Sequence, residues 1–307
     1  MMNDSSRSYP PAFSGSVIYR RQFLQMAIGA VAAAGGARAE ASPAARVLDR
    51  RWIAADPDSY YGWPTLIGRR TGELMLVCSG GREAHICPFG RVELLQSRDG
   101  GRTWTWPRVL LDSATDDRDA GILETSAGSL LVTTFTSLAY ESRLQAAEAA
   151  EPGSAKAWPP ERRARWRAAH ERTDETGRRR DLGTWMIRST DGGATWSQRY
   201  DSLVNSPHGP IQLSDGRLLY AGKQLWATPP RVGFAVSHDD GQSWQWMADL
   251  PVRPGDDPVH YHELHAVECR PGGRIIAQLR NHNRANHQEI LQTESDDGGR
   301  TWSVPHP

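Results

Sequence analysis

Apolar residues along this chain come in short runs rather than in long helical stripes. An apolar run, a glycine turn and a second apolar run recur four times: Thr65-Leu66-Ile67, Gly72, Leu74 to Val77; Ile122-Leu123, Gly128, Leu130 to Val132; Ile211 to Leu213, Gly216, Leu218 to Tyr220; and Ala266-Val267, Gly272, Ile275 to Ala277. Short apolar runs bounded by turn residues predict paired strands. A third run follows each pair, at Val92 to Leu95, Trp185 to Ile187, Val232 to Val236 and Glu289 to Leu291. Each third run leads into one phrase, S-x-D-x-G-x-[ST]-W, at 97–104, 189–196, 237–244 and 295–302.

Every position of that phrase has a physical task. The Asp carboxylate accepts hydrogen bonds from turn amides, Gly supplies a positive φ, and the hydroxyls close the turn. The Trp ring packs between sheets with its N–H free for a partner. The phrase is a folding device joining a third strand to a fourth. Four antiparallel strands, repeated, predict an all-β chain built as a β-propeller. The strand pattern stops at about 140–180. There an Ala/Glu-rich stretch, then Pro159-Pro160-Glu161 opening an Arg-rich run, predicts a helical insertion.

Composition adds less. The chain has 307 residues, 38% hydrophobic and 23% charged, an ordinary globular balance. With 36 basic and 36 acidic residues, no net charge draws it to nucleic acid. Four of its 12 Trp belong to the repeated phrase. The three cysteines form no disulfide framework; a Cys78–Cys87 bridge and buried free thiols both stay open.

The first 39 residues read as an address. Arg20-Arg21-Gln22-Phe23-Leu24, the apolar run Met26 to Gly36 and Ala37-Arg38-Ala39 form a twin-arginine-type signal with its cleavage site. The run is far below the about 20 residues a spanning helix needs. The expectation is an exported protein, periplasmic or extracellular, with no membrane attachment once residues 1–39 are removed, and a propeller over 40–307.

The repeated phrases are similar to the Asp boxes (BNR repeats) of the sialidase, or neuraminidase, superfamily, and the chain resembles bacterial sialidase-like glycoside hydrolases from about residue 50 onward. The resemblance implies a six-bladed propeller of which about four blades are present here, the set being incomplete towards the C-terminus. In a meandering blade the first and third turns share one face and the intervening loops share the other. The Asp boxes take the first face, and by resemblance the active site takes the second.

That filter gathers Gly80 to His85, Asp116 to Asp119, Ser206 to Gly209, Lys223-Gln224, Tyr261 to His265 and Arg280 to Asn283 onto one rim. By resemblance Glu263 is the family glutamate, and Arg280 and Arg82 are arginines of its carboxylate-binding triad. A guanidinium fork suits a carboxylate by two-point contact. His85, near neutrality in its ordinary titration, is the candidate for the general acid, and Asp119 is a further catalytic candidate in a supporting role. His208 and His262 are candidates for substrate contact. Two departures stand out: Tyr61-Gly62-Trp63-Pro64 replaces the family's Y-R-I-P, and no aspartate closely follows Arg82.

His262-Glu263-Leu264-His265 is not the helical zinc motif, because its histidines are three apart and lie beside a strand. No metal and no cofactor is expected. The resemblance implies an exo-glycosidase removing a terminal acidic or polar sugar from a glycan or glycoconjugate. The alternatives are a non-catalytic or degenerate glycan-binding propeller and a protein-binding one. Nothing in the sequence sets the oligomeric state.

Overall fold

The computed structural model describes residues 46–154, 157–284 and 289–307; the signal expected at 1–39 lies outside them. Contacts divide the chain at residue 50, and every described strand and helix falls in the unit 51–307. Four sheets follow one another along the chain. The first holds β1 (Tyr60–Gly68), β2 (Leu74–Arg82), β3 (Arg91–Ser97) and β4 (Arg108–Leu111). The second holds β5 (Asp116–Glu124), β6 (Leu130–Ser137), β7 (Thr184–Ser189) and β8 (Tyr200–Asp201). The third is β9 (Ile211–Gln212), β10 (Leu218–Gln224), β11 (Arg231–Ser237) and β12 (Gln245–Asp249), and the fourth β13 (Tyr261–Glu268), β14 (Ile275–Asn281) and β15 (Ile290–Ser295).

Each sheet is an antiparallel meander in chain order, so the four units are four propeller blades. The fourth departs from the expected plan. It has three strands, and a single antiparallel bridge between Gln292 and His306 stands where the outer strand lies in the others. In the third blade the first strand is cut to two residues, because Pro207 and Pro210 precede it and lack the N–H that a ladder needs.

Blade faces explain the continuous apolar runs. Along β6, Leu130 and Val132 pack with Met75, Val77 and Val92 of the first blade, whereas Leu131 turns to Leu218, Tyr220 and Ala235 of the third. Along β10, Leu219 and Ala221 face the fourth blade and meet Ala266, Ile275 and Ala277. A strand buried on both faces has no reason to alternate with polar residues.

The boxes perform the turn chemistry their sequence implies. In the fourth, Ser295 Oγ donates to Asp297 (2.9 Å), and Thr301 donates to it from N (2.9 Å) and Oγ1 (2.7 Å). Trp302 Nε1 donates to Gly299 O at 2.9 Å, and its ring stacks on Phe234 of the third blade with centroids 3.7 Å apart. Thus the turn aims the indole into the blade interface. Partial burial raises the Asp297 pKa, but the hydrogen bonds from Thr301 and Ser295 outweigh it and hold the group down at about 2. Its stabilising contribution is present above the unfolded carboxyl pKa of about 4 and is lost as pH falls toward about 2. Asp297→Ala is expected to cost about 1–3 kcal/mol in urea unfolding at pH 7. The variant's extra cost should vanish towards pH 2.

The insertion is helical, as α1 (Glu141–Glu148), α2 (Pro160–His170) and α3 (Glu175–Asp181) between β6 and β7. Leu144 and Trp166 bury themselves against Cys87, Leu138 and Tyr140. Glu83, in the loop after β2, accepts from Arg165 (2.6 Å) and from Trp166 Nε1 (3.2 Å), fastening α2 to the rim of the first blade. No described helix is long and apolar enough to cross a membrane. Cys78 and Cys87 are buried free thiols and Cys269 is an exposed one, so the bridge that the sequence left open is not formed.

Candidate active site

The first strand of a blade should alternate its side chains between the two faces. In three blades it does not. Gly62 and Thr65 of β1 oppose Ser79 and Val77, Arg118 and Gly121 of β5 oppose Phe135 and Thr133, and His262 and His265 of β13 oppose Arg280 and Gln278. Each first strand thus carries one residue more than its partner, a β-bulge. Within each bulge sits a non-glycine residue in the left-handed region: Trp63, Asp119 and Glu263, all with φ 51°. Such backbone is uncommon outside glycine, and bulges re-aim side chains next to active sites.

All three residues face one pocket of about 250 Å³. They also share a sequence address, each lying nine residues before the glycine of the following turn, Gly72, Gly128 or Gly272. At the same address in the third blade stands Pro207, whose ring fixes a negative φ; it lines the pocket without a left-handed bulge.

Asp119 is buried, at 7% exposure, and makes no side-chain hydrogen bond or ion pair among the described residues. Burial pushes its carboxyl up to about 7; nearby Arg118 opposes the rise and Glu263 adds to it. Glu263 is ion-paired to Arg280, Nη1 to Oε1 at 2.9 Å. The pocket therefore holds one carboxyl that keeps its proton near neutrality and one carboxylate held by a cation. A buried carboxyl raised in this way beside an ion-paired glutamate is an arrangement that acid–base chemistry can use.

Two cations complete the site. Arg118 lies with its guanidinium carbon 4.9 Å from the Trp63 ring centroid and 5.8 Å from that of Phe135. Its Nε is buried without a hydrogen-bond partner, and no carboxylate lies within salt-bridge distance of its guanidinium among the described residues. Lys223, at the end of β10, is buried and donates from Nζ to Val259 O at 2.6 Å. Neither cation is neutralised by an ion pair, whereas Arg280 is.

The structure does not bring every expected residue into contact with the pocket. Arg82, expected to bind substrate, is 0% exposed and lies beneath the site. It grips Asp116 with two hydrogen bonds (2.7 and 3.0 Å) and donates also to Ser79 Oγ, Ala84 O and His85 O. No donor is left for a ligand. His208 is exposed and does not line the pocket; its ring pairs with that of His265, centroids 5.2 Å apart. His85 and His262 do line it. Burial, then Arg118 and Arg82, lower the pKa of His85, which disfavours the protonated form that a general acid needs. Burial, then Lys223 and His282, bring His262 down to about 4.

Trp63 was not singled out as a site residue from the sequence, and Arg118 and Lys223 were gathered onto the rim without a role. Aligning the units on their turn glycines would have found Trp63, and with it the neighbours of Asp119. Among the described residues no group of three or more His, Cys, Asp or Glu is arranged to hold a metal ion.

Residues 165–307 match the family of BNR repeat-like domains. By structure the chain is similar to a protein of unknown function from Dyadobacter fermentans, at 18% identity and TM-score 0.59 over 83% of this chain and 70% of that one. It is also similar to a Hadza microbial sialidase, at 18% identity and TM-score 0.56 over 80% of this chain and 46% of that one. The NanB sialidase of Streptococcus pneumoniae matches at 13% identity and TM-score 0.55, over 83% of this chain and 53% of that one. The chain thus spans about half the length of these two sialidases. At such identities the likeness is one of fold. No curated protein matches the chain by sequence.

Proposed function

We propose that this chain, a sialidase-like propeller carrying a BNR repeat-like domain, is a glycoside hydrolase that removes a terminal anionic sugar from a glycan. The observation that carries the reading is the pair of left-handed bulges that turn Asp119 and Glu263 into one pocket beside an unpaired guanidinium. Asp119 donates its proton to the glycosidic oxygen as the bond to the anomeric carbon breaks. Water adds to that carbon and gives its proton to Glu263, which Arg280 holds in place. The two carboxyl groups so exchange their protonation states, and the site is reset when Glu263 releases its proton to solvent and Asp119 takes one up.

The charge pattern selects the substrate class. An unpaired, desolvated guanidinium is costly unless a ligand anion completes it. Arg118, fixed between Trp63 and Phe135, offers a planar fork for a sugar carboxylate, and Lys223 adds positive potential. As a secreted enzyme, the protein would act on glycans outside the cytoplasm.

The test is a panel of 4-methylumbelliferyl glycosides, anionic (sialoside, glucuronide) and neutral, with the intact protein and Arg118→Met. The anionic members should be hydrolysed, and Arg118→Met should lower kcat/KM for them about 10–100-fold, the worth of one charge-assisted contact. Hydrolysis of neutral glycosides at the same rate in both proteins would sink the anionic assignment. Glycan binding with no turnover of any member would favour the non-catalytic propeller.

A further inference from the structure

Residues 83–89, between β2 and β3, carry part of the wall of the Asp119–Glu263 pocket. His85 lines that pocket and lies against the Trp63 ring, centroids 5.0 Å apart, and the same indole covers the Arg118 guanidinium. Yet this loop has little scaffold of its own. Among the described residues no backbone–backbone hydrogen bond holds residues 83–89 to a neighbouring strand or helix. Such a segment keeps its place through side-chain contacts, and it opens at low cost when they are lost.

Those contacts run to the helical insertion. On one side Glu83 is paired with Arg162 and Arg165 of α2 and accepts from Trp166 Nε1 at 3.2 Å. On the other, Cys87 is buried with Leu144 and Trp166, Ile86 and Phe89 pack against the same cluster, and Arg172 donates to Pro88 O at 3.1 Å. Trp166 serves both sides: fully buried, it gives its N–H to Glu83 and meets the Phe89 ring edge-on at 6.1 Å. His85 stands between the two anchors and lines the pocket instead. From beneath, Arg82 holds the carbonyls of Ala84 and His85 (3.3 and 3.1 Å) but leaves both flanks of the loop to the insertion. An isolated exposed ion pair contributes little. Glu83, 20% exposed, instead collects two guanidinium groups and a buried indole N–H on one carboxylate.

We infer that the helical insertion braces this wall of the pocket, and that Glu83 is the positioning residue through which it sets His85 against Trp63. As an aid to catalysis this rests on the reaction proposed above; as control of the pocket wall it does not.

The probe is the His85 imidazole, followed by NMR through a pH titration of the intact protein without substrate. In the wild type, burial and the surrounding cations Arg118, Arg82, Arg143 and Arg280 hold its midpoint below the ordinary histidine value. Glu83→Ala should raise the midpoint towards that value, because a released loop carries the ring into water and away from those cations. Loss of the Glu83 charge alone would lower it, so a rise reports the movement. Glu83→Gln gives up the ion pairs but keeps an oxygen for the Trp166 N–H; it should melt close to wild type and show a smaller rise. A merely structural loss would lower the melting temperature and leave the midpoint in place. A midpoint that stays or falls in both variants overturns the brace. On the glycoside panel, KM for the anionic members should rise about tenfold in Glu83→Ala, the worth of one charge-assisted contact, and an unchanged KM overturns the positioning role. If the midpoint rises while the wild type turns over no glycoside, the brace stands and the proposed reaction falls.

Discussion

Asp119→Asn should remove turnover almost completely while leaving the protein folded. A correctly placed general acid contributes about 10²–10⁴-fold to a rate, and the amide cannot supply the proton. For Asp119 the loss is expected at the upper end, because burial lowers the pKa of both histidines of the pocket, His85 and His262, and disfavours their protonated forms. The pH profile gives a sharper reading than the rate. With its carboxyl pushed up to about 7, Asp119 is protonated below neutrality and ionised above it. Wild-type activity should therefore fall on the alkaline side with a midpoint near 7, and the residual activity of Asp119→Asn should lack that limb.

Stability supplies the control. A group whose folded pKa is raised contributes stability below its unfolded pKa and loses it as pH rises through the folded value. At pH 8 the wild-type protein therefore carries the cost of a buried carboxylate that the amide avoids, and Asp119→Asn should melt no lower than wild type. A variant that melts well below wild type at pH 8, or keeps the alkaline limb, would remove Asp119 from the acid role.

Legibility from sequence divides along a physical line. The boxes were readable because a turn needs particular residue types at fixed places: Ser295, Asp297, Gly299 and Thr301 each make the hydrogen bond that their position implies. Strand order sorted the loops into two faces, and the family resemblance chose the face that collects Asp119, Glu263 and Arg280. What strand order cannot give is the direction of a side chain within a bulge. One inserted residue reverses the alternation of everything beyond it, so Trp63 and Arg118 reach the pocket against the simple two-residue period. Long-range partners were equally hidden. Nothing near Arg82 in sequence announces Asp116, thirty-four residues on, as the carboxylate that consumes its fork.

That pairing makes Arg82→Met the severest structural substitution expected here. Arg82 and Asp116 are each 0% exposed. The pair is sealed by Gly90, where an added Cβ would fall 2.1 Å from both Arg82 Nη1 and Asp116 Oδ1. Removing the guanidinium strands a buried carboxylate with no room for water to replace its partner. Breaking a buried pair from one side costs about 3–5 kcal/mol, or roughly 10 °C in Tm for a domain of this size. Replacing both partners is a different matter, since apolar groups of similar volume leave no charge behind. Arg82→Met with Asp116→Leu should recover most of the lost stability, which a thermal melt of the single and double variants will read. The comparison also decides what Arg82 is for. A residue that binds substrate would, on removal, weaken ligand binding and leave the melting temperature alone. A buried strut lowers the melting temperature first, and the double variant restores it without any ligand present.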